Sequence, residues 1–275
     1  MVKTSLWRHA AVAALAVSVF TAQAGTPLLI WPIDPVIAPG QQAAALWLEN
    51  QGAQAATLQV RVFGWSQSRG EDDFQPQQAV VPSPPIATVP PGGRQLVRLI
   101  ATRPVPPGTE QPFRIFIDEL PAAPAPAQDP AATATATPTA NPGAAAGASV
   151  KLQLRYAVPL FVYGAGAVPP TARNRENGRD TTEPNALAPR LDWDLLLEKG
   201  QPVLVLRNNG NAHARVTGVE WSAADGPVQI LNPGLLGYVM AGASMRFAIE
   251  KPLPRNARLR AGLNGRAADI PRAPD

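Results

Sequence analysis

The sequence predicts an all-β protein, an antiparallel β-sandwich followed by a second, smaller β domain. Three observations carry this. Apolar and polar residues alternate with period two in run after run, as in "TLQVRVFGW" (57–65), where Leu58, Val60 and Val62 share one face and Gln59 and Arg61 the other. The runs are short and bounded by Pro, Gly and Asn turns. The 275-residue chain also holds 32 prolines, and each Pro inside a helix removes a hydrogen bond and clashes with the preceding turn. The length corresponds to about two domains.

The N-terminal stretch "MVKTSLWRHAAVAALAVSVFTAQA" has the plan of a secretory signal peptide. Lys3 and Arg8 form its basic region, Ala10 to Phe20 its apolar region, and Ala22-Gln23-Ala24 its cleavage site. The apolar run is too short to span a bilayer, so cleavage after Ala24 is expected, with export across the inner membrane. No later segment is long and apolar enough for a membrane helix. Without residues 1–24, the 24 basic residues fall to 22 against 20 acidic ones, and the net charge from +4 to +2. No Lys/Arg block with interleaved aromatics is present, which argues against nucleic acid as a partner.

A first domain is expected over 25–163. Its strands are read at "AAALWLEN" (43–50), "TLQVRVFGW" (57–65), "VPPGGRQLVRLIA" (89–101) and "QPFRIFIDELP" (111–121), with "SRGEDD" (68–73) as a polar turn. Residues 122–149 are almost all Ala, Pro, Thr and Gly, with too little apolar surface to offset the entropy of ordering them. Strand-like sequence resumes at "SVKLQLRYAVPLFVYG" (149–164). A second, smaller β domain is expected over 164–275. Its strands are read in "LDWDLLLEKGQPVLVLRNNG" (191–210, two strands joined at Lys199-Gly200), "ARVTGVEWSA" (214–223), "GPVQILNPG" (226–234), "GYVMAGASMRFAIEK" (237–251) and "ARLRAGLNG" (257–265).

Catalytic chemistry finds no footing. There is no cysteine, and His213 is the one histidine after the signal peptide, so neither a thiolate nor a His-based metal site can be assembled. His213 follows Asn-Gly-Asn and reads as a solvated loop residue. No G-x-S-x-G elbow and no phosphate-binding Gly-rich loop occurs. "GEDD" (70–73) lacks the spacing of a calcium loop. Asp118 and Glu119 fall on opposite strand faces and cannot act as a glycosidase pair. No catalytic residue, metal site or cofactor is expected, and the chain is not read as an enzyme.

The strand after the Ala/Pro run holds the most information. Val150, Leu152, Leu154, Tyr156 and Val158 share one face, and Lys151, Gln153, Arg155 and Ala157 the other. Placed at a sheet edge, it presents an apolar row and unpaired backbone groups, an aggregation hazard unless a partner pairs there. Placed inside the sheet, it is an ordinary core strand. Periodicity does not choose between the two.

The ordered set "VIAPGQQAAALWLEN" (36–50), "PPGGRQLVRL" (90–99), "FRIFIDELP" (113–121), the long loop and "LQLRYAVPLFVY" (152–163) resembles the PapD-like periplasmic chaperones of the chaperone–usher pathway. The resemblance implies two immunoglobulin-like β-sandwich domains arranged in an L, with 122–149 as the F–G loop. It implies a periplasmic chaperone that stabilises fimbrial (pilin) subunits by donor-strand complementation through its G strand, without a cofactor, and delivers them to an outer-membrane usher. The donor residues carried over are Val150, Leu152 and Leu154, with Val158 nearer the domain junction. Well-studied members hold the subunit's terminal carboxylate with an Arg and a Lys in the cleft, but Asp34 and Pro159 stand at those positions here. With "LLIWPIDPVI" at the start, this looks like the archaic branch. A carboxylate still calls for a cation, and the candidates are Arg114, then Arg155 and Arg94. Glu119 matches a family Glu that braces the two domains, although its usual Arg partner is replaced by Tyr163. The competing expectation is a secreted structural or adhesive β-sandwich module that binds saccharide or matrix itself.

Overall fold

The computed structural model describes residues 26–121, 153–170, 187–223, 226–254 and 256–274, and every regular element among them is a β-strand. The expected signal peptide and F–G loop, with Val150 and Leu152, lie outside the described residues. Thr26–Ala122 and Leu154–Asp275 form one compact unit; of the other, Met1–Gly25 with Ala123–Gln153, only Gln153 is described.

Ten strands make the first sandwich: β1 (Leu28–Trp31), β2 (Val36–Ile37), β3 (Ala43–Asn50), β4 (Ala56–Ser68), β5 (Glu71–Pro76), β6 (Val80–Ser83), β7 (Ile86–Val89), β8 (Arg94–Ala101), β9 (Glu110–Leu120) and β10 (Arg155–Tyr163). One sheet has the order β1-β3-β8-β6, and the other β2-β10-β9-β4-β5 with β7 beside β4. All pairs are antiparallel except β2 with β10. The alternation read from sequence decides which side chains meet. Leu46, Leu48, Leu58, Val60, Val62, Val97, Leu99, Phe113, Ile115 and Ile117 form the core between the sheets.

The second sandwich holds β11 (Leu191–Glu198), β12 (Gln201–Asn208), β13 (Ala214–Ser222), β14 (Gln229–Val239), β15 (Ser244–Ala248), β16 (Arg258–Leu263) and β17 (Arg266–Ile270). Its sheets run β11-β12-β15 and β14-β13-β16-β17, closing over Trp193, Leu204, Leu206, Val216, Val219, Val239 and Leu259.

Three hairpins turn on two residues of positive φ, Arg69-Gly70, Lys199-Gly200 and Asn264-Gly265. That geometry suits the right-handed strand twist. The expected 68–73 turn is thereby shortened to Arg69-Gly70, and Glu71 to Pro76 continue as a strand. The expected end at 265 is likewise a turn into β17. The segments 226–234 and 237–251 are cut differently: β14 is one strand that crosses the Asn232-Pro233-Gly234 irregularity through register shifts against β13. Between the sandwiches a third apolar cluster gathers Trp65, Phe161, Tyr163, Ala167, Leu187, Ala212, Tyr238 and Met240.

Candidate functional site

One flank of β10 is open along part of its length among the described residues. β2 pairs only with Phe161 and Val162, so among the described residues no strand lies beside Arg155–Leu160 on that side. Three hydrogen bonds fix which backbone groups face outward. Glu119 N–H donates to the Leu154 carbonyl and Gly164 N–H to that of Thr109, so even-numbered residues address β9. Phe161 N–H donates to the Pro35 carbonyl, so odd-numbered residues face away. The outward donors of the open flank are therefore Arg155 and Ala157, since Pro159 has no N–H. Among the described residues, this half of the strand is thus an edge.

The even-numbered side chains form one apolar row. Val158, Leu160 and Val162 lie in the core, Tyr156 packs at its margin, and Leu154 emerges 37% exposed. The core therefore continues along β10 out of the sandwich, toward Leu152 and Val150 in sequence. Val158, expected as a donor residue, is corrected on this point. At 7% exposure it fills this chain's own core, and its side chain is not available to a partner.

The three candidate cations are placed differently. Arg155 stands on the edge strand, more than half exposed, ion-paired with Asp118 and over the Phe116 ring. Arg61 donates to the other Asp118 oxygen at 2.7 Å. Burial raises the Asp118 carboxyl, but hydrogen bonds from Arg155 and Arg61 outweigh it and hold the group below the usual carboxylate range. Arg114 is the cross-strand neighbour of Pro159, but its guanidinium leans the other way, 3.7 Å over Trp65 and close to Phe74 and Tyr238. Its Nε is buried without a hydrogen-bond partner, and burial, opposed by Asp72, lowers its pKa. Arg94 belongs to the opposite sheet, paired with Glu49 at 2.7 Å and stacked over Trp31.

Two expectations near the junction are overturned. Glu119 was to brace the domains, but its carboxylate accepts from the Thr26 N–H at 3.1 Å and hydroxyl at 2.6 Å, within the first sandwich. It lies at the far end of β9, about 30 Å from Glu110 at a strand rise near 3.3 Å per residue. Glu110 does the bracing instead. It accepts from the backbone N–H of His213 at 2.9 Å, sits 2.7 Å from His213 Nδ1, and accepts from Tyr163 Oη at 2.8 Å. His213 is not a solvated loop residue: it is 4% exposed and stacked on Phe161 with ring centres 3.5 Å apart. Burial, and then the Glu110 charge, hold the Tyr163 hydroxyl protonated far above the phenol range.

Beside this brace is a cavity of about 190 Å³ lined by Asp34, Val36, Phe161, Tyr163, His213, Arg215, Tyr238, Asn264 and Gly265. The first sandwich thus presents a carboxylate, Asp34, to the cleft, while the cation, Arg215, comes from the second. Sequence reasoning missed Glu110, because nothing local marks a Glu at a strand start as the partner of a residue 103 positions away. A cue for His213 did exist in the repeated pattern L-x-L-x-N-x-G, at 46–52 and 204–210, which places both segments at equivalent turns.

Residues 36–166 match the family described as pili and flagellar-assembly chaperone, PapD N-terminal domain. No curated protein aligns significantly with the chain. Among solved structures, the chain is similar to the archaic chaperone–usher chaperone of the CsuC–CsuE pre-assembly complex of Acinetobacter baumannii Csu pili. There the TM-score is 0.64 and the identity 27%, over 90% of this chain and 100% of that one. The CupB2 chaperone of Pseudomonas aeruginosa (TM-score 0.52, 16% identity, 89% and 100% covered) and the YadV chaperone (0.53, 13%, 88% and 99%) share the fold. Residues 36–166 thus carry a PapD-type N-terminal domain, and the likeness to CsuC over 90% of this chain supports a PapD-like chaperone of the archaic type.

Proposed function

We propose that this protein is a periplasmic chaperone that binds and stabilises fimbrial subunits by donor-strand complementation and delivers them to an outer-membrane usher. The observation that carries the reading is the open flank of β10, with outward N–H groups at Arg155 and Ala157 beside an apolar row that leaves the core at Leu154. A subunit lacking one strand supplies the missing neighbour and a groove for that row. Leu154, with Leu152 and Val150 ahead of it, fills the groove, each side chain contributing roughly 1.5–3 kcal/mol when fully buried. No catalytic step or cofactor enters; strand pairing and apolar burial supply the binding energy.

The finer assignments belong to the same proposal. Export follows cleavage after Ala24, and the domains divide at Tyr163. Arg155 is favoured over Arg114 and Arg94 for the subunit's terminal carboxylate, because it stands exposed on the edge itself while Arg114 is stacked on Trp65 and Arg94 lies on the other sheet.

Co-expression with a cognate fimbrial subunit tests the reading. Leu152→Asp with Leu154→Asp should reduce recovered complex and periplasmic subunit at least tenfold, while the chaperone itself accumulates normally. Unchanged complex and subunit yield with the double variant would sink it.

A further inference from the structure

The flank of β10 is shared between two users, and one residue separates them. Toward the C-terminal end, Val36 and Ile37 pair in parallel with Phe161 and Val162, and Phe161 N–H donates to Pro35. Continued backwards, that ladder needs residue 159 to donate to the carbonyl of Ile33. Residue 159 is Pro and cannot donate, and the return bond to its carbonyl would need an N–H at residue 35, which is also Pro, so the ladder stops after two residues. Toward the other end, Arg155 and Ala157 offer outward N–H groups, and the next outward position is again Pro159, itself buried. Whichever direction an added strand runs, its hydrogen bonds to β10 nitrogens end at Ala157.

This bears on register. Alternation of side chains excludes a slip of one residue, which would turn every apolar side chain to the wrong face. It does not exclude a slip of two, which keeps every side chain on its face. Something other than the apolar row must therefore select among registers two residues apart.

We propose that Pro159 is that selector. It is a positioning residue that divides the β10 flank into a self-paired half and a half offered to the subunit, and so fixes the register of the docked strand. The inference rests on the donor-strand reading above. Replacing Pro159 leaves the pairing of β10 with β9 intact, because odd-numbered residues face away from β9.

The test uses the full-length chain, which contains no cysteine, so an engineered disulfide has one origin. Gln153→Cys is combined with single cysteines scanned along the groove-lining strand of the co-expressed fimbrial subunit, and the disulfide-linked products are quantified. With Pro159 present, one subunit position should dominate. In Pro159→Ala, a product displaced by two residues should rise at least tenfold. In Ala157→Pro, which moves the stop upstream at another outward-facing position, the dominant product should shift by two residues. An unchanged pattern in the folded variants overturns the selector while leaving donor-strand binding in place. If the complex forms but no subunit position links to Gln153→Cys, the donor-strand reading falls, and the selector with it.

Discussion

The two sandwiches are built on the same frame and finished in opposite ways. In each, a fully buried Asn closes a long strand, β3 in the first and β12 in the second. Asn50 Nδ2 donates to the carbonyls of Gln54 and Val89 at 2.7 and 2.9 Å, and its Oδ1 accepts from Gly52. Asn208 Nδ2 donates to Ala212 and Val239 at 2.7 and 2.9 Å, and its Oδ1 accepts from Gly210. The backbones repeat too, with Gly92 and Gly242 N–H donating to the respective Asn carbonyls. The last strands then part company. β17 returns from β16 through Asn264-Gly265, with small or charged residues in Arg266, Ala267, Ala268 and Asp269, the composition of a blunted edge. β10 returns from β9 only after residues 121–154, runs apolar from Val158 to Tyr163, and has an open flank along Arg155–Leu160 among the described residues. Since the frame is common to both, what distinguishes the first sandwich structurally is its last strand.

The largest effect is expected where the two frames are joined. Glu110→Ala leaves the His213 N–H, its Nδ1 and the Tyr163 hydroxyl without their acceptor inside a closed junction. Each buried donor left without its partner costs about 1–3 kcal/mol. Denaturant unfolding followed by Trp fluorescence should show one transition splitting into two as the sandwiches uncouple. A single unshifted transition would show that the apolar cluster around Phe161 and Tyr238 holds the junction alone.

Next come the paired Asn residues. Asn50→Ala strands two carbonyls and a glycine N–H, and Asn208→Ala strands the same set plus the Arg190 N–H, at about 1–3 kcal/mol for each unsatisfied group. Losses of at least about 3 kcal/mol are expected in thermal melts, the larger for Asn208→Ala. A loss at only one of the two would break the comparison and show that only one frame depends on its bracket.

How much of this was legible follows from the range of the interactions. The strands β3, β8, β9, β11 and β12 were readable because alternation is local and their apolar sets point to one core each. The short β1, β2, β6 and β7 were not, since two to four residues carry no period. The flank of β10 could be posed as a question but not answered, because strand order is a non-local property. Val158 and Leu154 look alike in sequence, and only the end of the neighbouring sheet makes one core and the other surface. Glu119 carried a family role that the fold assigns to Glu110, at the opposite end of the same strand.

The smallest expected effect compares the charges on the two frames. Asp118 takes hydrogen bonds from Arg61 and Arg155, whereas Asp194 has Arg207 and Arg272 at 3.7 and 3.9 Å. The Asp118 carboxyl is held below its ordinary value, so it binds a proton less readily folded than unfolded. Its contribution is therefore complete above the unfolded carboxyl range near pH 4, and is lost as the pH falls through the lower folded value. The arginines are exposed, which screens the interaction, so Asp118→Asn should cost below about 1 kcal/mol at pH 7. The gap to the parent should close as urea midpoints are followed down through acid pH. Asp194→Asn, losing only the longer contacts, should cost less still. A gap for Asp118→Asn that persisted below pH 2 would mean that Asp118 acts through packing rather than charge, and that Arg155 is not restrained by it at the edge where a subunit would dock.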